Sequence, residues 1–381
     1  MSLDLYLNRK KLNYLLLLIL KTSIQMNNLT ITSNFTNIIE QDTFIRDFNI
    51  SNINQLSNNI LDVDEYLTPA VVLPKYTHKP FIEANTQEIE LLTLQQDCII
   101  PVFSKDNEKT IAHQEFIDIA QECAYSIYSG ETIEIPEIRV SHQIKGRTPD
   151  AIHKSAKELL EHEKTQYFER MAFIIKIPSI TANIGGNTLS LTLGGVRAYN
   201  QENLYNKKSF EKFKFFIGFQ NLVCCNLCVS TDGFLSEIKV SSYEELYAKI
   251  LEVMQNYKAE QHLELMRDFT NYSLTEHQFA QLIGKSRLYN HLPKSQRLEL
   301  PEMTFNDGQF NTIARDYYQD ESFCKDEYGN INLWNVYNLF TQANKSSYID
   351  TFLERNLNAF EFNQGICNAI NGDNNYQWFL S

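Results

Sequence analysis

The strongest constraint on the fold lies between residues 167 and 241, where long apolar runs are separated by glycine-bearing breaks. Met171-Ala172-Phe173-Ile174-Ile175 sits inside a run spanning 167–184, long enough for an extended strand. Gly185-Gly186 is a hairpin signal. Leu189-Ser190-Leu191-Thr192-Leu193 then alternates with period two, which predicts a returning strand with one wet face. Gly194-Gly195 predicts a bulge or a close backbone approach. Residues 213–233, FKFFIGFQNLVCCNLCVSTDG, are apolar enough to be buried partly on both faces and are expected to form the central strand. Asp232-Gly233 is expected to turn the chain towards Glu237-Ile238-Lys239-Val240. Upstream, 133–143 also alternates, so 133–241 predicts a mainly antiparallel sheet with a helix packed on it.

The flanks have helical texture. Phe116, Ile117, Ala120, Ala124 and Ile127 recur at helical spacing before a stop at Gly130. Thr148-Pro149-Asp150 combines an N-cap, a first-turn proline and an acidic residue, and predicts a helix running to about Glu163. Ser242-x-x-Glu245 and Thr275-x-x-Gln278 are capping boxes. Further helices are predicted over 306–318, 331–341, 348–359 and 363–370. The expected fold class is α+β: a central, mainly antiparallel sheet with packed helices, followed by a mostly helical C-terminal region. In domain terms this gives an α+β domain over 61–241 and a helical region over 242–381 packed on it. Before them, 26–60 reads as a flexible polar tail.

Residues 1–25 place Arg9-Lys10-Lys11 before an apolar run from 12 to 20. That run is too short for a membrane span, which needs about 20 apolar residues. A start at Met26, a short apolar leader or anchor, and an ordinary helix are the competing explanations, and no stable membrane span is expected.

Charge is unevenly placed. The chain carries a net charge of −13, yet 139–214 holds 13 Lys and Arg against 7 Asp and Glu. A basic middle between acidic flanks attracts a phosphate-bearing partner, unless its cations pair with carboxylates from those flanks. Arg197, Tyr199, Lys207, Lys208, Lys212 and Lys214, with Tyr205 and Phe213, mix cations with aromatics, as backbone neutralisation and base stacking require. A wet sheet face has the same composition. His142, Lys145, Gly146 and Arg147 are read as a basic loop before a helix, able to hold an anion; the alternative is a turn whose arginine pairs with a nearby glutamate.

Cys224, Cys225 and Cys228 form C-C-x-x-C without a second ligand pair, so neither a metal nor a cofactor is expected. On a strand, Cys224 and Cys228 stand about 13 Å apart and Cys225 faces away from both. Seven cysteines without scaffold spacing point to reduced thiols in a cytoplasm. Walker, G-x-G-x-x-G, G-x-S-x-G, H-E-x-x-H and EF-hand patterns are absent from the sequence.

Several of these runs resemble a bacterial family defined only as a domain of unknown function, DUF3871. They are SHQIKGR (141–147), EKTQYFERMAF (163–173), LGGVRAYNQENLY (193–205) and FIGFQNLVCCNLCVSTDG (216–233). The likeness continues through LTEHQFAQLIG (274–284), DYY (316–318), LWNVYNLFTQANKSSYIDTFLERNLNAF (333–360) and WFLS (378–381). It covers the chain from about residue 60 and leaves 1–25 outside. Cys225 stands where the family pattern has Thr, which argues against a metal role there. The V-C-x-N element distantly resembles phage- and plasmid-related DUF932-like proteins, which implies a mobile-element setting. The family implies no activity and no catalytic residues. The leading expectation is therefore a cytoplasmic, non-catalytic protein that binds DNA or RNA. The alternatives are an enzyme acting on a nucleotide or phosphorylated ligand near His142 and Arg147, and an adaptor for a protein partner.

Overall fold

The computed structural model describes residues 79–98, 110–201 and 210–381, all within the unit Thr77–Ser381. The expectations for 1–25 and 26–60, and for Lys207 and Lys208, lie outside the described residues.

Six strands pair in sequence order as one antiparallel meander: β1 (Gln87–Ile89), β2 (Glu137–Arg147), β3 (Lys164–Ile184), β4 (Asn187–Ala198), β5 (Glu211–Asn221) and β6 (Leu227–Val240). The β3–β4 hairpin turns at Gly185 and Gly186, with φ of +56° and +79°, a pair that β-branched or bulky residues do not adopt. Register slips between Ile177 and Thr181, and Pro178, which has no N–H for the ladder, sits in that irregularity. The fold is thus α+β around an antiparallel sheet.

Helices cover both faces. Met171, Phe173, Ile175, Leu191, Leu193, Phe213, Phe215, Ile217 and Phe219 form the sheet's share of the larger core. Against this face lies α2 (His113–Ile127), which follows the short α1 (Leu91–Gln96), and Phe116 sets its ring edge-on to Phe173 and Phe213 at 5.1 and 4.9 Å. After β6 come α3 (Tyr243–Asn256), α4 (Ala259–Asp268), β7 (Ser273–Leu274), α5 (Glu276–Tyr289), α6 (Lys294–Arg297), α7 (Asp307–Gln319), β8 (Ile331–Asn332), α8 (Leu333–Asn344) and α9 (Ile349–Ile370). The Ser242 and Thr275 side chains accept from the backbone N–H three residues on, as their sequence signatures predict, and Asn306 does the same at the start of α7. On the sheet's other face Ala172, Ile174, Val196, Phe216, Leu227 and Val229 are closed over by Phe81, Ile82 and the Ile349, Phe352 and Leu353 side chains of α9.

Five expectations are corrected. The wet face of β4 is dry: Ser190 and Thr192 are fully buried, and their hydroxyls donate to the carbonyls of Ile177 and Ser190. Alternation therefore records two differently lined interiors rather than core and solvent. The helix over 148–163 is replaced by 3-10 turns at Pro149–Ala151 and Glu161–Glu163. Its apolar residues Ile152 and Leu160 are exposed, and a helix whose apolar stripe meets no partner has little to stabilise it. Asp232-Gly233 does not end a strand but lies inside β6, where the register with β5 slips between the Phe216–Phe234 and Gly218–Val229 pairs. The apolar run 213–233 is not the central strand: it forms β5, its turn and the start of edge strand β6. The two helices predicted over 348–370 are one, and Gly365 inside it makes room for Tyr376, whose ring occupies the space a Cβ would need.

Candidate nucleic-acid interface

The residues expected to form a basic loop, 141–147, are strand. β2 continues past the end of the sheet and pairs with the start of β3, through Gln143–Phe168, Ile144–Tyr167, Lys145–Gln166, Gly146–Thr165 and Arg147–Lys164. β1 pairs with β2 only as far as Val140, and β4 pairs with β3 only from Arg170. Beyond those points the two strands form a ribbon with no third strand on either side among the described residues. Residues directly opposite each other share a face. One face of the ribbon therefore carries Gln143, Lys145, Arg147, Lys164 and Gln166, while Ile144, Gly146, Thr165 and Tyr167 lie on the other. Gln143, Lys145, Arg147 and Lys164 are exposed.

At the base of the ribbon His142 has φ of +57°, rare for a residue other than glycine. Its Nδ1 lies 2.6 Å from Arg170 Nη1, and Arg170 Nε is 2.8 Å from Asp350 on α9. His142 is thereby tied through Arg170 to the C-terminal helices. At the far end the Arg147 guanidinium donates to the Lys154 carbonyl, Lys154 pairs with Glu163, and Lys164 sits 2.5 Å from Glu161. Among the described residues Lys145, Arg147 and Lys157 have no carboxylate partner. His142 and Arg147 stand five residues apart on an extended strand, on the order of 15 Å, too far to grip one small phosphate together.

Other predicted residues go elsewhere. Arg197 lies on the core face of β4, its side chain 0% exposed, 2.5 Å from Glu211. Its guanidinium lies over the rings of Phe213 at 4.4 Å and Tyr199 at 4.7 Å. Glu211 also accepts from the Ile111 N–H at 3.1 Å. His113 stacks on Tyr199 at 4.2 Å, and its Nε2 reaches the Phe168 carbonyl at 2.9 Å, so that nitrogen carries the proton. Burial first, and then the neighbouring Arg197, push the His113 pKa down to about 3. Arg197 and Tyr199 thus belong to an interior network, not to an open surface. Lys212 pairs with Glu237 at 3.4 Å, and Lys214 meets Glu354 and donates to the Asp350 carbonyl at 2.5 Å. For these cations, pairing with the acidic flank is the arrangement found.

Cys224 and Cys225 fall at the β5–β6 turn, and Cys225 has φ of +58°. All three cysteines of the motif are buried and free, and burial raises each thiol's pKa, that of Cys224 to about 11. Among the described residues no group of three His, Cys, Asp or Glu is placed to hold a metal ion. Among them, too, no helix is long and apolar enough to cross a membrane.

Sequence reading missed Gln143, Lys164 and Gln166 as companions of Lys145 and Arg147. The signal was the two-residue alternation of Lys164, Gln166 and Phe168, which extends the β3 pattern back beyond Tyr167. No curated protein and no solved structure matches this chain. A family model described as "Domain of unknown function, B. Theta Gene description (DUF3871)" matches residues 60–380, most of the chain, and the protein belongs to that family.

Proposed function

We propose that the protein binds nucleic acid without catalysis, through the ribbon formed by the outer halves of β2 and β3, as part of a bacterial mobile element. The observation that carries this reading is the ribbon's polar face, on which Lys145 and Arg147, without a carboxylate partner among the described residues, stand beside two amide side chains and clear of the sheet. Phosphate neutralisation needs exposed cations of this kind, and the Lys212 and Lys214 side chains are already engaged by glutamates. The chain as a whole carries a net charge of −13, so a phosphate-bearing partner is drawn to a local group of cations rather than to the molecule at large. The mobile-element setting rests on the distant likeness of the V-C-x-N element, and the cytoplasmic setting on the reduced cysteines. Lys207 and Lys208 join the proposal on sequence alone.

The test is fluorescence anisotropy with labelled DNA and RNA across a salt series. Binding is expected to weaken steeply with salt. In the Lys145→Ala/Arg147→Ala double variant the slope of log K against log salt is expected to shrink by about 2, one for each phosphate no longer neutralised. Binding that ignores salt, or a slope unmoved by the double variant, would count against the ribbon.

A further inference from the structure

We propose that the ligand of this ribbon is duplex DNA, entered through the major groove, and that Gln143 and Gln166 form a base-reading pair that prefers adenine. This rests on the reading above and narrows it.

Shape comes first. Five cross-strand pairs at about 3.4 Å each give a ribbon roughly 17 Å long, and the major groove of B-form DNA, about 12 Å wide, admits a two-stranded ribbon. A third strand beside it would block entry, and among the described residues neither β1 nor β4 extends along this stretch. A-form RNA offers a deep, narrow major groove that such a ribbon cannot enter. Single strands are gripped by stacking bases on exposed aromatic rings. The polar face has no such platform: its only ring, Phe168, is buried at the ribbon's base, and Tyr167 stands on the opposite face against Tyr199.

Chemistry comes second. The Gln143 amide donates from Nε2 to Oε1 of Gln166 at 2.5 Å. That bond leaves one carbonyl oxygen, on Gln143, and one amino group, on Gln166, for a further partner. Exchanging oxygen and nitrogen in both amides leaves the same pair with the roles reversed. In the major groove adenine presents N6–H as donor beside N7 as acceptor, and an acceptor–donor amide pair matches it. Lys145 adjoins this pair as the cross-strand partner of Gln166, and Arg147 and Lys164 stand one step further out, where phosphates flank the groove.

The experiment uses the full chain with duplex DNA, single-stranded DNA and duplex RNA of one sequence, followed by selection of bound duplexes from a randomised pool. Duplex DNA is expected to bind tightest, and the selected sites are expected to fix an adenine. In the Gln143→Ala/Gln166→Ala variant, affinity for the selected site is expected to fall about 5- to 100-fold, to the level of unrelated duplexes. Gln166→Glu, which removes the amino group offered to the base, is expected to move the preference towards cytosine, whose N4 amino group donates to a carboxylate. A merely structural role for the pair would not redirect base choice in this way. Equal binding of every duplex, or tighter binding of single strands or of RNA, overturns the inference and leaves nucleic-acid binding standing. Absence of all nucleic-acid binding removes both.

Discussion

At Arg197 the charge sits where the strand's parity puts it, inside the core. A guanidinium without water costs several kcal/mol unless its charge is met. Here Glu211 supplies the counter-charge at 2.5 Å, and the rings of Phe213 and Tyr199 cover the guanidinium. Glu211→Gln keeps shape and volume but removes the negative charge, so it is expected to destabilise the fold by about 3–5 kcal/mol. Arg197→Met combined with Glu211→Leu removes both charges and is expected to cost less than Glu211→Gln alone. Urea midpoints of the two variants check this, and the reverse order would show that the pair is not the main electrostatic tie of this core. In sequence, Arg197 is indistinguishable from a surface cation, because its partner lies 14 residues away on the next strand.

Among the elements, β4 illustrates how closely the strands and helix α2 are fitted. A Cβ at Gly195 would overlap Phe116 Cζ and lie 2.7 Å from the Lys214 carbonyl. One neighbour is an aromatic wedged among Phe173 and Phe213, the other is backbone, so neither gives way easily. Gly195→Ala is expected to destabilise by about 1–3 kcal/mol through overpacking. Gly284→Ala, on the exposed face of α5 with nothing within 4 Å of the new methyl, is expected to stabilise by about 0.5–1 kcal/mol. The two thermal melts should shift in opposite directions. Gly194-Gly195 was legible as a close approach, since few other causes place two glycines after an alternating strand. The ribbon was less legible. Cap signals at Thr148-Pro149-Asp150 describe how a helix starts, and they say nothing about whether its apolar stripe will find a partner.

For the molecule as a whole, two fully buried histidines couple stability to pH. Burial lowers the pKa of both His113 and His262 to about 3, and the Tyr257 hydroxyl, 2.8 Å from His262 Nδ1, holds the latter in place. In the unfolded chain each takes up its proton near its ordinary value of about 6.5. A depressed folded pKa means that this contribution is fully present above about pH 6.5. It diminishes as pH falls, at about 1.4 kcal/mol per pH unit for each histidine until the folded pKa is reached. Urea unfolding should therefore show stability falling below pH 6.5, before the carboxylates titrate. His262→Phe is expected to halve the slope that these two residues set; an unchanged slope would refute the assignment.

Local pattern alone determined the β3–β4 hairpin, the α2 helix and the capped C-terminal helices, because period, glycine turns and N-caps act over a few residues. It also argued against a metal at C-C-x-x-C, since ligand spacing is a local property. Tertiary structure decided which cations are free. β5 and β6 carry Lys212 to Glu237, and α9 carries Asp350 and Glu354 to Arg170 and Lys214. The meetings on α9 join residues more than 100 positions apart, which no periodicity encodes. Lys145 and Arg147 stay without a carboxylate partner among the described residues for the same physical reason: the ribbon runs past the edges of its neighbouring strands, and the carboxylates of the Glu161–Glu163 turn pair with Lys154 and Lys164 instead.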